Sequence, residues 1–262
     1  MNNILSNFEK PIVPPTPQSI GIPKITFPNI EHEIDEFFEI YRTMPNIDNR
    51  YGMQSPHLFL LWHSLKQLQP EYVIESGVYK GLGTWWIEQA CPDAKVISID
   101  IDLTNIEYKS DRVTYYCEDF SLHKWDEINK EKSLIFFDDH QNALMRLMQM
   151  KWMGFYQAIF DDNYAPYTGD CYSCKKIFAS TGNQVVSDHI NPNNVDSYFL
   201  YENIDSYQEL PAPFKLEKTR FGYNWVEPSF LNAPANESQS LLFKEADSYT
   251  YMCYVELKHN GG

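Results

Sequence analysis

Short apolar runs that end in, or run straight into, acidic residues set the limits on how this chain can fold. They are Tyr72 to Glu75, Lys95 to Asp100, Val113 to Cys117 before Glu118 and Asp119, Ser133 to Phe137 before Asp138 and Asp139, and Gln157 to Phe160 before Asp161 and Asp162. Each is of strand length and rich in β-branched or aromatic residues. Between them lie helical patterns at Thr84 to Cys91, Ser121 to Lys130 and Gln141 to Met153, and a short segment near Asn105. Such alternation predicts an α/β fold, a doubly wound parallel sheet with right-handed crossovers and helices on both faces. Ligands of such sheets bind outside the carboxyl ends of the strands, which is where the acids fall. One acid there is easily a cap or turn former. Acids after every strand repel one another unless cations offset them.

The first strand leads into Gly77, Gly81 and Gly83 and then a helix, so the chain passes from strand through a tight turn to a helix N-terminus. This turn aims backbone N–H groups and the positive end of the helix dipole over the sheet edge. Tyr79 fills the place where a dinucleotide fingerprint requires its second glycine. Glu75 at the mouth of the turn repels a diphosphate and attracts an ammonium or sulfonium, so the favoured ligand is cationic or zwitterionic. Asp100, about 20 residues past the turn, is placed to grip ribose hydroxyls, with Asp102 as the alternative.

Glu75-x-Gly77-x-Tyr79-x-Gly81 resembles the first motif of class I S-adenosylmethionine-dependent methyltransferases, most closely the catechol-type metal-dependent O-methyltransferases. The resemblance covers Ser55 to Asn163 and implies a Rossmann-like seven-stranded sheet. It implies S-adenosylmethionine held by Glu75, Gly77, Tyr79, Gly81 and Asp100. Asp119 matches the position that holds the adenine amino group, with a cap for the helix near Ser121 as the alternative role. Asp139 before His140, then Asp162-Asn163, match the family's metal set, an all-oxygen group suited to Mg²⁺ or another divalent cation. One departure is the family's lysine base, which is absent around Asn142. His140 has the intrinsic pKa for that proton transfer, as in the similar macrocin-type sugar O-methyltransferases where the base also differs, or else it packs beside the metal. The expected function is therefore a metal-dependent O-methyltransferase acting on a hydroxyl of a small molecule or sugar. The alternatives are a metal-dependent hydroxylase of the cephalosporin hydroxylase group and a noncatalytic S-adenosylmethionine-binding protein.

The remainder of the chain narrows partners and organisation. A net charge of −15 argues against nucleic acid or anionic membrane as a partner. No apolar run exceeds Leu58 to Trp62, and Met1 to Lys10 lacks a signal-peptide pattern, so a cytoplasmic protein is expected. The odd number of cysteines, 5, lacks disulfide-scaffold spacing, and Cys171-x-x-Cys174 without a second pair reads as free thiols before it reads as zinc. Residues 1–30 are proline-rich and read as an arm, followed by helices at Glu31 to Met44 and from Ser55, its expected cap, to Pro70. The expected domains are an arm and cap helix over 1–54 and a methyltransferase domain over 55–262, with a lid at 163–210. A helix is expected at Val195 to Leu210, and a closing antiparallel strand at Tyr249 to Leu257. A homodimer is left open.

Overall fold

In a computed structural model, which describes residues 17–179, 196–222 and 229–259, the acid-terminated runs form the parallel half of a single large sheet. In chain order its strands are β1 (Ser19–Ile20), β2 (Tyr72–Ser76), β3 (Lys95–Asp100), β4 (Val113–Cys117), β5 (Ser133–Phe137), β6 (Gln157–Phe160), β7 (Ile204–Glu209) and, after a small separate pair β8 (Ala212–Phe214) and β9 (Ser229–Leu231), β10 (Cys253–Leu257). The spatial order is β1-β7-β10-β6-β5-β2-β3-β4. β4, β3, β2, β5 and β6 are parallel neighbours, whereas β10 is antiparallel to both β6 and β7. Apart from β1 at one edge, this is a seven-stranded sheet of the doubly wound kind expected from the sequence. Chain order reverses at β2, which has β3 on one side and β5 on the other, so the crevice for a ligand opens above the ends of β2 and β5.

Period-2 alternation along the strands feeds two apolar cores, one on each face of the sheet. Val73, Leu134, Phe136 and Ile159 face the helices α1 (Ile30–Tyr41), α2 (Ser55–Leu68), α3 (Leu82–Ala90) and α7 (Glu237–Lys244). Their neighbours Ile74, Ile135, Phe137 and Phe160 face α4 (Ala143–Met153), α5 (Cys174–Phe178) and α6 (Asp196–Asn203). On the first face Phe37 of α1 stacks on Trp86 of α3 at 4.5 Å, which ties the segment before residue 55 to the sheet domain. Truncating such a buried aromatic to alanine costs about 3–5 kcal/mol.

Several expectations are corrected. No helix forms over 121–130, because Asp119 Oδ1 accepts the Ser121 N–H at 2.8 Å and closes a local turn instead. The helix expected over Val195 to Leu210 ends at Asn203, and Ile204–Glu209 becomes β7, so the stretch expected as a lid contains a sheet strand. Residues 171–179 of that stretch are buried against α4 and the sheet, and 180–195 lie outside the described residues. The second half of the expected arm supplies β1, which pairs with β7. Ser55 is the first residue of α2 and not its cap. Cys171 and Cys174 are buried thiols, and Cys171 Sγ donates to the Asp162 carbonyl at 3.5 Å.

Candidate active site

The glycine turn after β2 is shaped by contacts that leave no room for side chains. Gly77 has φ +97°, and a Cβ there would lie 2.2 Å from the Asp138 carbonyl oxygen. Gly81 has φ +87°, and its Cβ would lie 2.3 Å from the Tyr108 carbonyl oxygen. Tyr79 takes φ 47° at the tip, with its side chain partly exposed on the cleft. Asp100 Oδ2 accepts the Val78 N–H at 2.7 Å and the Tyr79 N–H at 3.3 Å, so the end of β3 holds the turn open from below. Asp102 is exposed and does not line the cleft.

Glu75 requires a correction. Its side chain is 1 % exposed and lies beneath the turn, where Oε2 accepts from Thr84 Oγ1 and from Ser98 Oγ at 2.6 Å. Burial pushes its carboxyl up to about 7 against the opposing effect of those two hydroxyls. It therefore braces β2, β3 and α3 together instead of facing a ligand.

A cleft of about 780 Å³ runs from this turn across the strand ends. On its floor Arg146 of α4, 4 % exposed, bridges two strand ends: its guanidinium donates to Asp119 at 2.7 and 3.0 Å, and its Nε donates to Asp139 Oδ2 at 3.0 Å. The Arg146 hydrogen bonds hold Asp119 well below the usual carboxylate range. Asp139 Oδ2 also accepts from Ser76 Oγ at 2.6 Å, so that oxygen is already engaged within the protein. The residue expected as a metal ligand thus lines the cleft with its Oδ2 turned to Arg146 and Ser76. Asn163 is corrected. It is fully buried, with Nδ2 donating to Tyr207 at 2.9 Å and Oδ1 accepting the Lys175 N–H at 3.0 Å, so its amide is turned into the protein interior.

The groups that do converge are Asp138, His140 and Asp162, whose potential ligand atoms all lie within 4.8 Å of one another. His140, at φ 51°, places Nδ1 3.0 Å from Asp162 Oδ2 and 3.2 Å from Asp170 Oδ1, with Nε2 4.0 Å from Asp138 Oδ1. Asp161 lines the same cleft, and its Oδ1 is buried without a hydrogen-bond partner. Burial, then mutual repulsion, raises Asp138 and Asp161 well above the ordinary carboxylate value, and burial raises Asp162 against the opposing pull of His140. Burial lowers His140, but Asp162 and Asp138 outweigh it and leave the imidazole raised. The Asp138 and Asp161 N–H groups continue the ladder, donating to Ser76 and Phe137 carbonyls at 2.8 and 2.9 Å. The first acid of each Asp-Asp pair is thus an extension of its strand, a cue that strand alternation holds and that the motif match passed over. Arg146, Thr250 and His57 also belong to this environment, and no spacing in the sequence marks them.

No family model matches the chain, and no curated protein matches it. Solved structures similar to it include an O-methyltransferase from Bacillus cereus in complex with SAH, 14% identical over 87% of this chain and 91% of that one, with a TM-score of 0.44. Another is the O-methyltransferase TomG from Streptomyces achromogenes, in complex with SAM and involved in tomaymycin synthesis, 11% identical over 86% and 89% with a TM-score of 0.46. A third is the SAH-bound Podospora anserina methyltransferase PaMTH1, 13% identical over 91% and 90% with a TM-score of 0.43. With likenesses this distant, any reading of function stands on the residues of the cleft.

Proposed function

We propose that the chain is an S-adenosylmethionine-dependent O-methyltransferase, acting on a hydroxyl of a small molecule or sugar, with a divalent cation beside the acceptor. The observation that carries this reading is that one cleft is lined both by the glycine turn with Asp100 and by the Asp138, His140, Asp161 and Asp162 cluster. The turn, built on positive-φ glycines without side chains, suits a ligand that approaches the backbone closely. Arg146 pairs with Asp119 and Asp139, and the carboxylates beyond them, Asp138 and Asp162, face the His140 imidazole.

The carboxyl cluster fits a cation on its own chemistry. Asp161 is buried and Asp138 and Asp162 are half-buried, and their like charges crowd there, Asp162 repelling Asp161 and both repelling Asp138. Asp138 and Asp162 would hold the ion, with Asp161 adding negative charge beside them; the ion supplies positive charge there and lowers the pKa of a coordinated hydroxyl. S-adenosylmethionine supplies the electrophilic methyl group. His140 stands at the open edge of the cluster with Nδ1 oriented by Asp162, as a base is oriented by a carboxylate partner, and takes the hydroxyl proton. The β2–α3 turn and the buried strand ends keep the acceptor oxygen close to the methyl group and limit the water around it. Among the described residues no helix is long and apolar enough to cross a membrane.

Calorimetric titration with S-adenosylmethionine, S-adenosylhomocysteine and NAD, each with and without Mg²⁺ or Mn²⁺, tests the reading. Binding of both methionine-derived ligands and not NAD is the expected result, and binding of NAD alone defeats it. The imidazole among the carboxylates keeps the hydroxylase alternative in view, because nitrogen donors suit iron better than an amide oxygen does. Anaerobically purified protein that holds stoichiometric iron and consumes oxygen with an acceptor would replace the methyltransferase reading.

A further inference from the structure

Asp162 is held from behind by two residues that take no part in the chemistry proposed above. Thr250 Oγ1 donates to Asp162 Oδ1 at 2.9 Å. His57, in the first turn of α2, places Nε2 2.8 Å from that same hydroxyl and accepts the Thr250 N–H at 3.1 Å. Both residues are almost wholly buried, His57 at 4 % exposed and Thr250 at 2 %. An imidazole nitrogen that accepts a backbone N–H carries no proton, so the ring is neutral with its hydrogen on Nδ1. Its one lone pair on Nε2 is engaged by the backbone, and the Thr250 hydroxyl is left to direct its proton to the carboxylate.

The consequence for Asp162 is rotational. With Oδ1 held by a buried hydroxyl, and with Tyr164 as a further hydrogen-bond partner, the carboxylate presents Oδ2 toward His140 at 3.0 Å. We infer that Thr250 and His57 are positioning residues that lock the Asp162 carboxylate in the orientation required to hold a divalent cation. This inference rests on the cation reading of the cluster. The brace brings together an early helix and the segment before β10, 193 residues apart in sequence, so packing on one face of the sheet sets the geometry of the strand-end acids. Partners of this kind, one bond removed from a metal, change its affinity by about 10- to 100-fold when removed.

The test is a Mn²⁺ titration by electron paramagnetic resonance on the full chain, beside calorimetry with S-adenosylhomocysteine. Thr250→Val, nearly equal in volume, is expected to weaken Mn²⁺ binding about tenfold or more, and Thr250→Ser to restore it. Affinity for S-adenosylhomocysteine is expected to stay unchanged in both. His57→Leu, which keeps the hydroxyl but removes the acceptor that holds the Thr250 backbone N–H, weakens Mn²⁺ in the same direction. Unchanged Mn²⁺ affinity in Thr250→Val overturns the brace, as does a Ser variant as weak as Val or an equal loss of S-adenosylhomocysteine affinity. Wild-type affinity in His57→Leu removes His57 from the brace. If the wild-type protein binds no Mn²⁺, the cation reading itself falls and takes this inference with it, an outcome distinct from failure of the brace alone.

Discussion

At the scale of single residues, the two most informative side chains are carboxyl and imidazole groups whose surroundings move their proton affinity. Glu75 has its pKa raised from 4.5 to about 7 because burial penalises the charge more than two hydroxyl donors relieve it. A carboxyl that holds its proton more tightly when folded favours the folded state below its unfolded pKa, and that advantage is lost as pH rises through the folded value. The protein is therefore expected to lose roughly 3 kcal/mol between pH 4.5 and pH 7 through this one group. Glu75→Gln keeps an acceptor for Thr84 and Ser98 without the charge, so its urea midpoint should match wild type at pH 4.5 and exceed it at pH 8. Parallel pH dependence in the two proteins would rule out this role. His140 permits an equally direct test. If it is the base and not a ligand, His140→Gln lowers turnover by about 10²- to 10⁴-fold while Mn²⁺ affinity stays close to wild type. Loss of Mn²⁺ binding along with activity would make His140 a ligand.

At the scale of elements, the strands that end in acid were legible from sequence to within a residue, because short β-branched runs bounded by turns carry their own signal. Lys95–Asp100, Val113–Cys117, Ser133–Phe137 and Gln157–Phe160 form as expected. The expected helix at 121–130 was not legible, since its apolar spacing competes with an Asp119 turn that only three-dimensional context selects. β7 was hidden because its strand pattern follows a short helix without a break. Within the site, motif matching led to the acids but not to their directions: Arg146 from α4 claims Asp139, and Tyr207 with Lys175 claims Asn163. Two glycines show how an element's geometry decides the effect of one methyl group. Gly77→Ala would drive a Cβ into the Asp138 carbonyl at positive φ, and should cost roughly 2–4 kcal/mol and abolish S-adenosylhomocysteine binding. Gly154 caps α4 at φ +84°, and its nearest neighbour to an added Cβ is 3.8 Å away. Gly154→Ala should therefore cost only about 1 kcal/mol and leave the ligand affinity intact, as denaturant melts and calorimetry would show.

At the scale of the whole molecule, the governing fact is an excess of negative charge concentrated where the sheet ends. The chain carries a net −15, and Asp138, Asp161 and Asp162 crowd together at one point of that surface with raised proton affinity. Without a cation those carboxyls oppose folding as they ionise, so removing one of them should stabilise the ligand-free protein at neutral pH. Asp161 is the informative choice, because its Oδ1 has no hydrogen-bond partner to lose. Asp161→Asn is expected to melt above wild type in chelator. Mn²⁺ at a hundredfold excess over Kd adds about 2.7 kcal/mol to wild type, a rise of roughly 5–10 °C for a domain of this size. The same addition should do far less for Asp161→Asn, so the order of the two melting temperatures reverses or closes. S-adenosylhomocysteine, bound at the glycine end of the cleft, should raise both proteins equally with or without chelator. A full Mn²⁺ shift in Asp161→Asn would place the cation elsewhere, and an S-adenosylhomocysteine shift that vanished in chelator would mean that the two ends of the cleft are one coupled site.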